Sequence, residues 1–238
     1  MSSFTLAWHF LIFGVLPYVV IAVLILGSLA RFVLAPFSWK SQSSKILDKK
    51  DIFWGANLFH IGVIFLFCGH CFGLFTPTEW LNAAGLTPRL HQMMEIICGG
   101  LSAIVAITGL IILTWRRLTN ERVRAASRPS DFWVLFLLLA VIILGIGCVV
   151  NSYLYDKSGA TIILLGGWVR GLFSFDYQAW QNILLVPDWQ KGHIFVGLII
   201  FLIVPFTRLV HIWSGYLSVF YLIRPHQIMR ANNGKPMK

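Results

Sequence analysis

Charge is scarce in this chain. Only 12% of its 238 residues are Asp, Glu, Lys or Arg, against 58% hydrophobic, and the mean hydropathy is +0.77. A water-soluble domain of this length has too little surface to hide so much apolar material, whereas a bundle of spanning helices leaves it facing lipid. Stretches free of strong polarity run at about 4–34, 52–75, 90–115, 132–152 and 186–220, each beyond the roughly 17–25 residues that cross a hydrocarbon core. The remaining pieces leave no room for a soluble catalytic domain, since the longest, about 153–185, is itself apolar. The first stretch is too long, and lacks the basic leader, for a cleaved signal peptide. The expected fold is therefore all-α, one integral membrane bundle of five transmembrane helices occupying residues 1–238, with a basic tail over 221–238.

Acidic residues are fewer still, 9 against 19 basic, giving a net charge of +10. Such a balance often marks a nucleic-acid binder, but its placement here excludes that. All but Arg89, Lys157, Arg170 and Lys191 fall in three stretches: 31–50, 116–128, and 208 onward. These follow the first, third and fifth spans. The positive-inside bias then sets the N-terminus outside and the C-terminus in the cytoplasm. Topology and contact with anionic lipid account for most of these charges. The short basic loop 35–51 and the tail suit a cytoplasmic partner as well.

Cysteine is also sparse. Cys68, Cys71, Cys98 and Cys148 all lie in predicted spans, and although Cys68-Gly-His-Cys71 has C-x-x-C spacing, Phe72 follows it. The C-x-x-C-H signature of covalent haem attachment is thus missing, and small packing residues at a helix interface are the better reading. No internal repeat is visible. Pro17 is placed to kink the first span, and Thr76-Pro77-Thr78 to end the second. Gly99, Gly100 and Gly109 in the third allow close helix approach. The fourth, WVLFLLLAVIILGIGCVV, holds no ionisable group and is expected only to pack or face lipid. GGWVRGLFSF within 160–185 reads as an amphipathic helix lying at the interface.

What the apolar segments do contain is histidine. His60 and His70 lie in the second span, His193 and His211 in the fifth. An imidazole in hydrocarbon is costly unless something repays its desolvation, so each is a functional candidate. The two spans are antiparallel by topology. His70 then lies ~8 Å and His193 ~10 Å from the outer ends of their spans, and His60 and His211 toward the cytoplasmic ends. The pairs expected are His70 with His193 and His60 with His211, each offering two axial ligands to a b-type haem. Zinc fits less well, because it wants three or four converging ligands. One spacing resists. His193 and His211 would be ~27 Å apart along an ideal helix, but His60 and His70 only ~15 Å, with an ~80° offset. A kink at Pro205 and helix tilt are needed to reconcile them.

Gly62, Gly69, Gly73, Gly192 and Gly197 lie close in sequence to these histidines, where a missing side chain admits a flat macrocycle. Arg208, three residues before His211, is placed to pair with a haem propionate. His9 and His226 are expected to be solvated. His91 and Glu95, one turn apart at the outer end of the third span, share a face. They read either as an interfacial anchor or as proton acceptors in a quinol pocket, with Gly69 letting the ring approach the haem edge.

SWKSQSSKILDKK, ANLFHIG, the Gly69-His70 pair followed by FGLFTP, and PFTRLVHIW resemble the gamma (cytochrome b) subunit of respiratory membrane-bound nitrate reductase, and the resemblance runs over essentially the whole chain. It implies two bis-histidine haems b, the outer on His70 and His193, the inner on His60 and His211. It also implies quinol oxidation near the outer haem, and electron delivery to a cytoplasmic iron–sulfur subunit and a molybdenum catalytic subunit, in the bacterial or archaeal cytoplasmic membrane. The match is poorer over RLHQMMEI, where relatives can carry a lysine and this chain has His91. A cytochrome b serving thiosulfate, sulfite or formate chemistry is the alternative within the haem class. A haem-free transporter or assembly protein is the alternative outside it, disfavoured by the lack of deep acidic residues and of an inverted repeat.

Overall fold

The computed structural model describes residues 2–35, 38 and 50–213. The tail 221–238, His226 and most of the 35–51 loop lie outside these residues. The described residues are mostly helical and include no strand. Five helices are long and apolar enough to cross a membrane. They are α1 (Ser3–Leu34), α2 (Lys50–Phe75), α4 (Pro88–Thr119), α6 (Pro129–Tyr155) and α8 (Asp188–Ile203), the last reaching spanning length through a 3-10 turn to Phe206. Shorter helices α3 (Thr78–Ala83), α5 (Glu121–Ala125) and α7 (Ala160–Phe173) fill the connections. The end of the bundle bearing Arg116, Arg117 and Arg208 is called the basic end below, and the other the far end.

Pro17 is accommodated without a sharp break. A π-turn over Leu11–Val15 precedes it. Proline cannot donate to the carbonyl one turn back, so Phe13 O would lose its usual partner. That oxygen instead accepts the Trp168 indole N–H at 2.8 Å. The bond ties α1 to α7, and it corrects the picture of α7 as a surface helix. Trp168, Val169 and Leu172 are buried in a cluster with Phe13, Ala179, Ile183 and Val186. Ile163, Phe173 and Phe175 stay exposed. Arg170, on the same helix, donates to Leu74 O and Thr76 O and so caps the carbonyl end of α2.

The tightest helix pair is α2 against α4, and small residues make it possible. A methyl on Gly62 would press on the Ala106 backbone, and one on Gly109 would meet the Phe59 nitrogen and Gly55 oxygen. Gly62 is therefore a helix-contact residue and not an opening for a macrocycle. Ala103, Ala106, Leu110 and Ile142 form the core beside this contact.

At the far end, α6 and α7 are joined by a turn built on Asp156. Its carboxylate accepts from the amides of Ser158, Gly159 and Thr161. Burial alone would raise this carboxyl, but those hydrogen bonds outweigh it and hold it below the usual carboxylate range. Gly159 takes a left-handed φ of 78°, which a side chain would strain, and any Cβ added there would collide with the Pro88 carbonyl.

The fifth helix departs from the expected 186–220. Its α-helical part stops at Ile203, a 3-10 turn follows over Val204–Phe206, Thr207 is extended, and another 3-10 turn covers Arg208–Val210. Pro205 has no N–H to continue the ladder, and it ends the helix where only a kink was expected. The stretch beyond Trp213 lies outside the described residues.

Replacing Gly109 with Val should destabilise the bundle by about 1–3 kcal/mol, the usual cost of overpacking a filled contact. Gly99→Ala, with no atom within 4 Å of its added methyl, should be silent. Thermal unfolding of both variants in detergent checks this.

Candidate functional site

The structure brings the four membrane histidines together in two pairs. The His70 and His193 ring centroids are 6.0 Å apart with planes at 22°. Those of His60 and His211 are 6.2 Å apart at 73°. In all four rings Nδ1 is matched to a backbone carbonyl. His60 bonds Ala56 O at 2.7 Å, His70 bonds Leu66 O at 2.7 Å, His193 bonds Val141 O at 2.9 Å, and His211 bonds Arg208 O at 2.7 Å. A carbonyl only accepts, so Nδ1 carries the proton and Nε2 carries the lone pair. This is the tautomer of a metal-ligating imidazole, whose second nitrogen is typically held by just such an outer partner.

The separations fit one metal between two rings. Two metal–nitrogen bonds of about 2 Å, plus about 1 Å from each nitrogen to its ring centre, place the centroids about 6 Å apart. Neither pair is joined by a third His, Cys, Asp or Glu among the described residues. Two axial imidazoles and no further protein ligand suit a macrocycle that brings four equatorial nitrogens of its own. The surroundings are divided. Gly69 and Gly197 face open space, so nothing obstructs a flat ring beside them, whereas a methyl on Gly73 would strike Glu95 Oε1.

The break at Pro205 reconciles the conflicting spacings. From His193 to Ile203 the helix already climbs ~15 Å, the same as from His60 to His70. Residues 204–210 must therefore run across the bundle, so that His211 reaches the level of His60. Carbonyls freed by the break do not go unsatisfied. Arg31 of α1 donates from Nη1 to Pro205 O at 2.7 Å and Thr207 O at 2.8 Å, and from Nη2 to Ser38 O at 2.9 Å.

The other side of the break is fastened by Asp131, which is 2% exposed. Its Oδ1 accepts Arg208 Nε at 2.8 Å, and Oδ2 accepts Arg208 Nη2 and Arg117 Nη1, each at 3.1 Å. Oδ2 also caps the start of α6 by accepting the Arg128 amide at 3.0 Å. Arg208, expected to face a haem propionate, thus has two of its donors on a carboxylate of the protein itself.

At the far end, Gly73, Thr76, Leu86, His91 and Arg170 line a cavity between α2, α4 and α7. His91 is buried, and its Nε2 lies 3.7 Å from Glu95 Oε1, on the shared face expected. That is too long for a hydrogen bond, and the nitrogen has no other partner. A π-turn begins at Glu95 and runs to Gly99. Such single π-turns recur at functional positions in helices. His9, expected to be solvated, is half-buried, its Nδ1 paired with Thr5 O and its ring leaning on Phe13.

The family model described as nitrate reductase gamma subunit matches residues 9–232. The chain belongs to the nitrate reductase gamma subunit family. It is 36% identical over 219 residues to the respiratory nitrate reductase 2 gamma chain of Escherichia coli strain K12, covering 92% of this chain and 95% of that one. It is 35% identical over 221 residues to the respiratory nitrate reductase 1 gamma chain of the same organism, covering 93% and 96%. The nitrate reductase gamma chain of Bacillus subtilis strain 168 is 34% identical over 224 residues, covering 94% and 98%. With its five apolar helices, this member of the gamma family is a multi-pass membrane protein.

Three features of this gamma-family chain escaped the sequence. Asp131 precedes an apolar run by one residue and follows Pro129, the pattern of a helix start, so its buried pairing with two arginines was not foreseeable from position alone. Arg31 reads as a topology signal but serves as a carbonyl clamp. Val141 and Gly145 sit in a segment with no ionisable group, yet His193 leans on both.

Removing the clamp with Arg31→Leu strands the carbonyls of Pro205 and Thr207. Leaving buried acceptors unmet costs about 1–3 kcal/mol each. The variant should unfold earlier in detergent, and protease or hydrogen-exchange mapping should show the opening first at 204–210.

Proposed function

We propose that this chain is the di-haem cytochrome b subunit of a respiratory nitrate reductase of the cytoplasmic membrane. It would oxidise quinol near the outer face and deliver electrons to cytoplasmic iron–sulfur and molybdenum subunits. The observation carrying this reading is the geometry of two imidazole pairs, each about one metal wide and each with its Nδ1 protons already engaged. His70 and His193 would hold the outer haem, His60 and His211 the inner. When bound, the two groups supply one-electron carriers at two depths, with no open coordination position for oxygen.

The rest is done by the chain's own residues. Arg31 and Asp131 hold the break that keeps His211 facing His60. The quinol headgroup would approach at the mouth of the far-end cavity, whose interior has room for about one water, with the ring itself lying against the outer haem edge. There, the unpartnered Nε2 of buried His91 is an acceptor for a quinol hydroxyl proton on the outer side, and Glu95, one turn deeper on the same face, is the second titratable group beside it. Gly73 leaves room for both side chains, since any Cβ there collides with Glu95. With the far end outside, as the basic residues imply, two protons leave to the exterior for each quinol oxidised. The two electrons move inward against a potential that is negative inside, storing ~2.3 kcal/mol per elementary charge per 100 mV. The basic loop and the tail after Trp213 would meet the electron-accepting subunits.

In the purified complex, His70→Ala or His193→Ala should remove one b-type haem, and His60→Ala or His211→Ala the other. Haem content and reduced-minus-oxidised spectra measure this, and both haems surviving the loss of all four histidines would refute the ligation.

His91→Leu should slow haem reduction by quinol at least tenfold, while reduction by dithionite and both haem spectra stay normal. Wild-type quinol kinetics in this variant and in Glu95→Gln would move the pocket elsewhere.

A further inference from the structure

Three of the candidate ligands are steadied from their own helix or turn. His60 and His70 each bond the carbonyl four residues back, and His211 the carbonyl three back. His193 is different, because its Nδ1 reaches across to Val141 O of α6, 52 positions away in sequence. That carbonyl sits in mid-helix, where it also receives the amide of residue 145. Residue 145 is glycine, and the open side it leaves is where the imidazole lies. A methyl there would be 3.1 Å from His193 Cε1 and 3.4 Å from Nδ1, the first tight enough that the imidazole must shift by a few tenths of an ångström. At the basic end the same helix supplies Asp131, which grips Arg208 through both carboxylate oxygens. The Arg208 carbonyl in turn holds His211.

We infer that α6, which contributes no ligand, is the positioning helix for one axial histidine of each pair: Val141 and Gly145 orient His193, and Asp131 orients His211 through Arg208. This rests on the haem reading above and deepens it. An N–H···O=C bond to the far nitrogen of an axial imidazole makes that ring a more basic ligand. A more basic ligand favours ferric over ferrous iron, so the bond lowers the reduction potential. Because the two contacts lie ten residues, ~15 Å, apart along one helix, each tunes its own site. His70 and His60, opposite them, keep their bonds within α2.

The test is a redox titration of the whole purified complex, following each haem by its optical band and by its low-spin EPR signal. Gly145→Ala should raise the potential and change the EPR g-values of the His70–His193 haem alone. Asp131→Asn should do the same to the His60–His211 haem alone. Gly147→Ala is the packing control. The three atoms nearest its methyl all belong to the Trp189 ring, also on α8, so it should leave both signals unmoved. No shift in Gly145→Ala, equal shifts of both haems, or the same shift in Gly147→Ala would overturn the inference. If Asp131→Asn fails to assemble, Asp131→Glu keeps the charge on a longer arm and should still disturb only the inner signal. A haem-free wild-type complex would overturn the ligation as well, which separates the two failures.

Discussion

Ten positions separate His60 from His70 and eighteen separate His193 from His211, and two unbroken helices cannot satisfy both at once. The chain answers by ending the α-helix of its fifth span at Ile203 and passing through two 3-10 turns and an extended Thr207, so that His211 meets His60. Everything at the basic end is arranged around this interruption. Backbone released from a helix inside a membrane must find other partners, since no water is there to supply them. Arg31 covers one side of the break and Asp131 the other, so residues from the first and fourth helices fix the path of the fifth. A buried carboxylate between two guanidiniums is costly to make, and removing one partner of such a group typically costs about 3–5 kcal/mol. The arrangement is better understood as fixing one geometry than as adding stability.

The far end is held by different means. There the chain uses apolar packing of α7 against α1, and three hydrogen bonds that each answer a local defect. Trp168 takes the carbonyl that Pro17 cannot serve, and Arg170 takes two at the end of α2. These contacts bring α7 over the cavity that holds His91. The close glycine-mediated contact of α2 and α4 then fixes the distance from His91 to the helix bearing His70. In the proposed reading, the quinol pocket and the outer haem are thus set by the same helix pair.

Much of this was legible in the sequence. Five long apolar runs gave five spanning helices, because composition and length suffice for that inference. Depth matching paired His70 with His193 and His60 with His211, since depth follows from rise per residue. The difficulty at Pro205 was also visible as an arithmetic conflict, though its outcome as a full break was not. Hidden were contacts between distant segments: Asp131 with Arg208, Trp168 with Phe13, His193 with Val141. None has a periodicity of its own. Local rules therefore sent α7 toward the interface and Gly62 toward a macrocycle. In each case a partner far along the chain had the stronger claim.

The most direct test of the account is the distance between the two low-spin iron centres in the oxidised complex, measured by pulsed EPR. If His211 faces His60 across a broken fifth helix, the separation follows the ten-residue rise on α2 with its ~80° offset, giving about 15–20 Å. A single paramagnetic haem, or two centres ~27 Å apart as an unbroken helix from His193 to His211 would require, would contradict it.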